Sequence, residues 1–370
     1  MNILLLNWRD PKNPKSGGAE LVTMQHAKAW VAHGHSVVWL TTMYKGASSA
    51  EIIDGVTILR KGNILTVFLH ALFFYLFSGA RFDVVIDEIH GIPFFTPLYV
   101  RKPKITFIHE VANEIWDYMY PFPINVIGKF LETFYLPLYK NIPLWTDAPS
   151  TIEELLRFGF AKNNCHAIYC PAENSVIKQL PKKEKYNTYI FVSRVVKMKG
   201  IEEVIKSFAF ISREDSDAVL WIVGKGGKDY VDLLKTMVVE YGIAKRVVFW
   251  GGVSEKEKLS LMAKAHVLLH ASVKEGWGLV VIEAASQATP SVVYNVPGLR
   301  DSVKNNKTGI VLSVNSPQEM ARQAILLVED KKRYAVLQKN GLAWAKSLTW
   351  ELSTKESLQL LERVKNGKIS

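Results

Sequence analysis

The chain reads as an α/β protein built from two doubly wound, Rossmann-like units in tandem. Three observations predict this. Short apolar runs of strand length alternate with helical stretches before residue 171 and again after residue 187. Such alternation specifies parallel sheets covered by helices on both faces. Between the two series, Pro171–Asn187 lacks periodicity and holds two prolines and the charged run Lys182-Lys183-Glu184-Lys185, as a linker would. At 370 residues the chain also exceeds one ordinary core. The expected division is 1–172, 173–347 and a last helical piece, 348–370.

The elements follow in order. Ile3–Asn7 is a first buried strand, with no basic leader or cleavage pattern of a secretory signal. A polar loop, Arg9–Gly18, leads into helical spacing over Ala19–Ala32, which Gly34 ends, and Ser36–Thr41 is the next strand. Asp83–Asp87, Lys104–His109 and Leu144–Ala148 continue the first series. The second has strands at Tyr189–Ser193, Ala218–Val223, Val247–Trp250, Val267–His270 and Ser291–Tyr294. Helices over Ile201–Ile211, Tyr230–Tyr241, Ser254–Ala265 and Leu279–Gln287 separate them. Gln318–Val364 is helical, with breaks expected near Gly341 and Leu348 and with Thr349 as N-cap of the final helix.

Composition narrows the function classes. Hydrophobic content of 48% excludes a disordered chain. Cys165 and Cys170 make neither a disulfide framework nor a metal quartet, and fit a reducing compartment. The first 175 residues carry 15 Lys+Arg and 15 Asp+Glu, so the whole net charge of +11 lies in the remainder. A basic second half attracts anions: a nucleoside diphosphate, a nucleic acid or an acidic membrane face. The most apolar window, Ile64–Phe77, is 14 residues long, too short for the ~20 that span a bilayer. It reads as a buried crossover helix, with a membrane-surface helix flanked by Arg60, Lys61 and Arg81 as the alternative. The aromatic stretch Phe122–Pro143 shares that alternative.

Glu275-Gly276-Trp277-Gly278-Leu279 opens an apolar helix that carries Glu283. Glycines let a backbone approach a ligand, and the first N–H groups of a helix sit at the positive end of its dipole, a phosphate-holding arrangement. Arg194 and Lys199-Gly200 follow a strand end, where open sheets bind ligands and where cations grip phosphate. Gly224-Lys225-Gly226 follows another strand but lacks the spacing of a nicotinamide fingerprint. Gly17-Gly18-Ala19-Glu20 opens the first helix as a second possible phosphate or hydroxyl contact. His109 and His90 stand at two strand ends, and no pair has metal-ligand spacing.

With Arg194…Lys199-Gly200, Gly224-x-Gly226 and Glu275-Gly276-Trp277-Gly278-Leu279…Glu283 in order, and Gly17-Gly18-Ala19-Glu20 ahead of them, the chain resembles the retaining glycosyltransferases of the GT-B fold, family 4. The resemblance implies two Rossmann-like domains facing across a cleft, the first holding the acceptor and the second the donor, with the last helix crossing back to the first. It implies that Arg194 and Lys199 grip the donor diphosphate, that Gly17, Gly18, Gly276, Gly278 and Leu279 meet phosphate, and that Glu283 holds the ribose. Glu275 would contact the sugar, His109 would lie near the reacting carbon, and Gly224 and Gly226 would line the donor. Lys225, Trp277 and Ala288 depart from the family's usual residues.

The expected chemistry is metal-independent transfer of a hexose from a UDP- or GDP-sugar co-substrate, with no resident cofactor, to a sugar, glycolipid or lipid-linked acceptor. It would serve envelope polysaccharide or glycolipid assembly, in the cytoplasm or at the inner face of the membrane. A GT-B nucleotide-sugar epimerase and a polyanion or nucleic-acid binder are the competing classes.

Overall fold

The computed structural model describes residues 1–172 and 176–369, so positions 173–175 of the linker lie outside the described residues. The chain forms two compact units, Met1–Cys170 with Trp350–Ser370, and Pro171–Thr349.

The first unit holds β1 (Asn2–Leu6), β2 (Ser36–Thr41), β3 (Ala50–Ile53), β4 (Val56–Arg60), β5 (Val84–Ile89), β6 (Lys104–Ile108), β7 (Leu144–Thr146) and β8 (Cys165–Ala167). Their order is β3-β4-β2-β1-β5-β6-β7-β8, parallel except where β3 pairs antiparallel with β4. Side chains alternate along β1: Ile3 and Leu5 join Trp30, Trp39 and Trp145 on one face, Leu4 and Leu6 join Tyr75 and Phe82 on the other. Both faces are covered, which is why these strands read as unbroken apolar runs. The helix Trp350–Lys365 completes this unit: Trp30 Nε1 donates to Ser357 Oγ (3.0 Å), and Leu360, Leu361 and Val364 enter the same core as Ile3.

The second unit holds β9 (Thr188–Val192), β10 (Val219–Val223), β11 (Val247–Gly251), β12 (Val267–His270), β13 (Ser291–Val293) and β14 (Ile310–Val311), all parallel, in the order β11-β10-β9-β12-β13-β14. In each sheet the order reverses at the first strand, β1 or β9, and that switch point is where such sheets bind ligands.

Three local expectations need correction. The helix Lys331–Ser347 runs straight through Gly341, where a Cβ would meet the Thr308 carbonyl oxygen at 3.4 Å and the Ala285 Cβ at 3.7 Å. Glycine there serves close packing, and the helix break falls at Asp330, whose carboxylate accepts from the Arg333 N–H at 2.9 Å. The β3–β4 hairpin was not anticipated, although Asp54-Gly55 between apolar runs is a strong hairpin signal; both turn residues are left-handed, φ 48° and 82°.

Arg60, a flanking cation only in the membrane-surface alternative, is fully buried. Its Nε and Nη2 reach the two Asp10 carboxylate oxygens at 2.8 and 2.9 Å, and Nη1 pairs with Glu51. Arg60→Met leaves Asp10 buried without its cation and should cost about 3–5 kcal/mol. Denaturant unfolding checks this; a variant within about 1 kcal/mol of the parent would contradict the pairing.

The apolar window forms the helix Val67–Ser78, but only a stripe of Val67, Ala71 and Tyr75 is buried. Leu69, Phe73, Leu76 and Phe77 face outward. No described helix is long and apolar enough to cross a membrane.

Candidate functional site

In the second unit the sequence motifs converge on the C-terminal ends of β9, β10 and β12. After β9 the chain enters Ser193–Val195, and the loop after β10 lies against it. The Val195 N–H donates to the Lys225 carbonyl at 2.8 Å, and Val195 bridges Gly226. Gly224 has φ +145°, and a Cβ there would sit 1.7 Å from the Ser193 carbonyl oxygen, so glycine is obligatory. Arg194 projects from this junction, exposed and without an ion pair among the described residues.

Lys199 ends a single 3-10 turn, Lys197–Lys199, tied to the loop after β12: the Val273 N–H donates to the Met198 carbonyl at 2.9 Å. That loop carries Glu275. Lys199 Nζ donates to Glu275 Oε1 at 2.7 Å, and His270 Nε2, from the end of β12, reaches the same oxygen at 2.9 Å. Burial would raise the Glu275 carboxyl, but Lys199 and His270 hold it well below the usual carboxylate range, so it is anionic at any physiological pH.

Gly276 and the buried Trp277 follow, then Gly278, left-handed at φ +81°, caps the helix Leu279–Ser286. Glu283 lies on this helix, where its Oε2 pairs with Lys258 at 2.8 Å, and Lys258 also reaches Glu255. The predicted residues thus fall into two groups, Lys199 with Glu275, and Glu283 with Lys258. Sequence reasoning missed His270 and Lys258. His270 ends a strand and stands five residues before Glu275, a usable signal; Lys258 arrives from a separate helix and gave none. A cavity of about 300 Å³ lined by Val195, Gly224, Lys225, Phe249 and Gly252 adjoins the Arg194 junction.

The first unit holds a second polar cluster at the same end of its sheet. His109, just past β6, is buried between two carboxylates. Its Nδ1 pairs with Asp147 beyond β7, and its Nε2 reaches Glu88 Oε1 of β5 at 3.1 Å. That oxygen also accepts from Thr23 Oγ1 at 2.9 Å and meets His90 Nε2 at 2.9 Å. Asn7, past β1, approaches His90 at 3.4 Å. Burial alone would push the His109 imidazole toward neutrality, but Asp147 and Glu88 outweigh it and raise it to about 10. Burial likewise opposes ionisation of Glu88, yet hydrogen bonds from His109 and His90 bring it down to about 2.

Gly17 and Gly18 open the helix that brings Thr23 to this cluster. Gly17 caps the helix Gly18–Ala32, its N–H donating to Glu20 Oε2 at 2.7 Å, while Glu20 pairs with Arg9 at 2.9 Å. Thr23, Glu88 and Asp147 were not singled out beforehand; Glu88 and Asp147 share only their position, at or near strand ends in one sheet, and Thr23 arrives from the helix Gly18–Ala32.

Glu88, His90 and His109 place one donor atom each within 4.8 Å of one another, a trio of metal-ligand type assembled at the ends of the neighbouring strands β5 and β6. Both His109 nitrogens already face carboxylates, which favours a protonated ring with no lone pair to offer a metal.

Residues 173–344 match the family model described as Glycosyl transferases group 1. An uncharacterized glycosyltransferase of Methanocaldococcus jannaschii is 28% identical over 327 residues, covering 82% of this chain and 81% of the relative. The GDP-mannose-dependent alpha-(1-6)-phosphatidylinositol monomannoside mannosyltransferase of Mycobacterium tuberculosis is 28% identical over 191 residues, 50% of this chain and 49% of that protein. Among solved structures, the sucrose-phosphate synthase of Thermosynechococcus elongatus is similar at TM-score 0.81 with 19% identity, covering 99% of both chains. Anabaena HepE, in complex with UDP and glucose, is similar at TM-score 0.75 with 16% identity, covering 98% of this chain and 99% of that one. These structures share the fold of two Rossmann-like units. Residues 173–344 are thus similar to the group 1 glycosyltransferases, and the two parallel-sheet units have the GT-B fold.

Proposed function

We propose that the chain is a retaining, metal-independent hexosyltransferase that uses a UDP- or GDP-sugar and an acceptor hydroxyl. The carrying observation is the cluster at the ends of β9 and β12: an exposed Arg194, the Lys199–Glu275–His270 constellation and the glycine-capped helix mouth at Gly278. The difficult step is charge development on the departing diphosphate. Arg194, Lys199 and the helix N-terminus offer fixed donors for it, needing little reorganisation as charge grows. Glu275, held anionic, can accept from sugar hydroxyls, and Glu283 from ribose hydroxyls. The cavity beside Lys225 and Phe249 has the character of a nucleobase pocket.

A thermal-shift panel of UDP-, GDP- and ADP-sugars tests this directly. One donor should stabilise the protein in proportion to the logarithm of its concentration over Kd. No shift with any of them would overturn the reading. Glu283→Ala should weaken donor binding by about tenfold, the order of one charged hydrogen bond, with kcat at saturation little changed; calorimetry that shows unaltered affinity would remove the ribose role. EDTA should leave turnover intact. A strict zinc or magnesium requirement would instead direct attention to Glu88, His90 and His109.

The acceptor is proposed to be borne by a lipid, at the inner face of a membrane, in envelope polysaccharide or glycolipid assembly. Two helices of the first unit support this. Val67–Ser78 leaves Leu69, Phe73 and Phe77 outward, and Ile124–Tyr135 leaves Ile127, Phe130 and Phe134 outward. A patch of this kind marks an interaction surface.

A further inference from the structure

The helix Ile124–Tyr135 is inside out. Its inward face carries Gly128, Glu132 and Tyr135, with Glu132 buried and accepting the Ala112 N–H at 2.8 Å. Its outward face carries Ile124, Val126, Ile127, Phe130, Leu131 and Phe134. Several polar side chains of this helix bond within the protein, although Asn125 Oδ1 is buried without a partner among the described residues. Asn125 and Lys129 both bond Asp117, Thr133 bonds the Phe130 carbonyl, and Tyr135 Oη bonds the Gly91 carbonyl.

Beneath the outward face is a cavity of about 220 Å³ walled by Ile92, Phe95, Trp116, Leu131, Phe134 and Leu138. An apolar cavity of about 150 Å³ already admits benzene, so this one has room for a run of methylenes or an isoprene unit. Two of its lining residues, Tyr135 and Trp116, meet Gly91, the neighbour of His90. The Tyr135 hydroxyl holds the Gly91 carbonyl, and the Trp116 ring lies 3.5 Å from where a Gly91 Cβ would be. His90, the partly exposed member of the cluster, stands two residues before the wall residue Ile92, a separation of at most about 7 Å.

Resting on the glycosyltransferase reading above, we infer that this cavity receives the hydrocarbon chain of a lipid-borne acceptor, whose polar end then lies at His90 and Glu88. A hydrocarbon is the occupant the surface fits. Protein interfaces carry about one hydrogen bond per 100–200 Å² and a polar rim; this helix offers few groups for one, since the Thr133 hydroxyl already bonds the Phe130 carbonyl and the part-exposed Asn125 and Lys129 already bond Asp117. An alkyl or isoprenyl chain asks for no donor or acceptor. The cavity differs from the outer face: Phe130 and Ile127 can meet a bilayer without lining it.

The test uses the full chain and calorimetry with n-dodecyl phosphate and farnesyl phosphate below their micellar concentrations, against inorganic phosphate. The chain-bearing probes should bind and inorganic phosphate should not. Leu138→Trp and Leu131→Trp, each filling the cavity, should weaken probe binding at least tenfold. Phe130→Ser should leave probe binding within twofold while reducing flotation with anionic phosphatidylglycerol vesicles. Circular dichroism confirms folding, and the two filling variants guard against one failing to fold. The inference falls if wild type binds neither probe, if both folded filling variants bind as wild type does, or if Phe130→Ser loses binding equally, which would mean surface adsorption. Donor binding is measured on the same samples. Intact donor binding with no chain binding sinks this inference alone, whereas absence of binding to any nucleoside-diphosphate sugar sinks the functional reading.

Discussion

Arg194→Ala should reduce transfer by about 10²–10³-fold, the loss typical of deleting one fixed donor to developing negative charge. The structure makes this a clean test. Arg194 is exposed and has no ion pair among the described residues, so its removal should leave the unfolding midpoint unchanged. Lys199→Ala should cost a similar factor in rate but carry a second signature. It strips Glu275 of the ammonium that stands 2.7 Å away and leaves a buried carboxylate with His270 alone. The Glu275 carboxyl should then rise toward its ordinary range, and stability should fall as well. Lys199→Arg should recover the stability more fully than the rate, because a guanidinium keeps the charge but not the position of the ammonium. Steady-state transfer assays and denaturant unfolding separate these outcomes. Near-full activity in both alanine variants would end the diphosphate assignment.

Asp147→Asn should have the largest effect on the first unit. His109 in the folded protein is raised to about 10, from 6.5. Its contribution to stability is therefore complete below about pH 6.5, fades above it and is gone beyond about pH 10. Glu88 is lowered to about 2 from 4.5, so its contribution is complete above about pH 4.5 and is lost as pH falls through about 2. The wild-type melting temperature should accordingly decline between pH 7 and pH 10. Replacing Asp147 removes the nearer carboxylate and should cost about 3–5 kcal/mol at pH 7 while flattening that alkaline slope. Melting curves at pH 6, 8 and 10 decide it: parallel slopes for wild type and variant would show that His109 is not held charged by Asp147.

Legibility in the sequence tracked locality. The alternation of apolar runs and helices was readable because parallel strands covered on both faces must be continuously apolar, as Leu4, Leu5 and Leu6 are. The donor-side motif was readable because Glu275, Gly278 and Glu283 lie within nine residues, on one loop and one helix. Elsewhere the pattern misled. Arg60 borders an apolar window and would be interfacial only in the membrane-surface alternative; Asp10, fifty residues earlier, draws it inside. Ile64–Phe77 looked like a buried crossover and turned out half exposed, because apolarity all around a helix does not say which sides are covered.

What the sequence determined by itself was the class of fold and the donor-side chemistry, since both rest on periodicity and on residues close along the chain. What only the tertiary structure decided was the company those residues keep. Sheet order β1-β5-β6-β7 brings Asn7, Glu88, His109 and Asp147 into one buried cluster from positions spread over 140 residues of chain. Helix packing sets Lys258 against Glu283 and turns Glu132 of Ile124–Tyr135 inward, leaving mostly hydrocarbon outside. Pairings between distant strands and the choice of buried face are settled by how layers stack, and no local pattern encodes them.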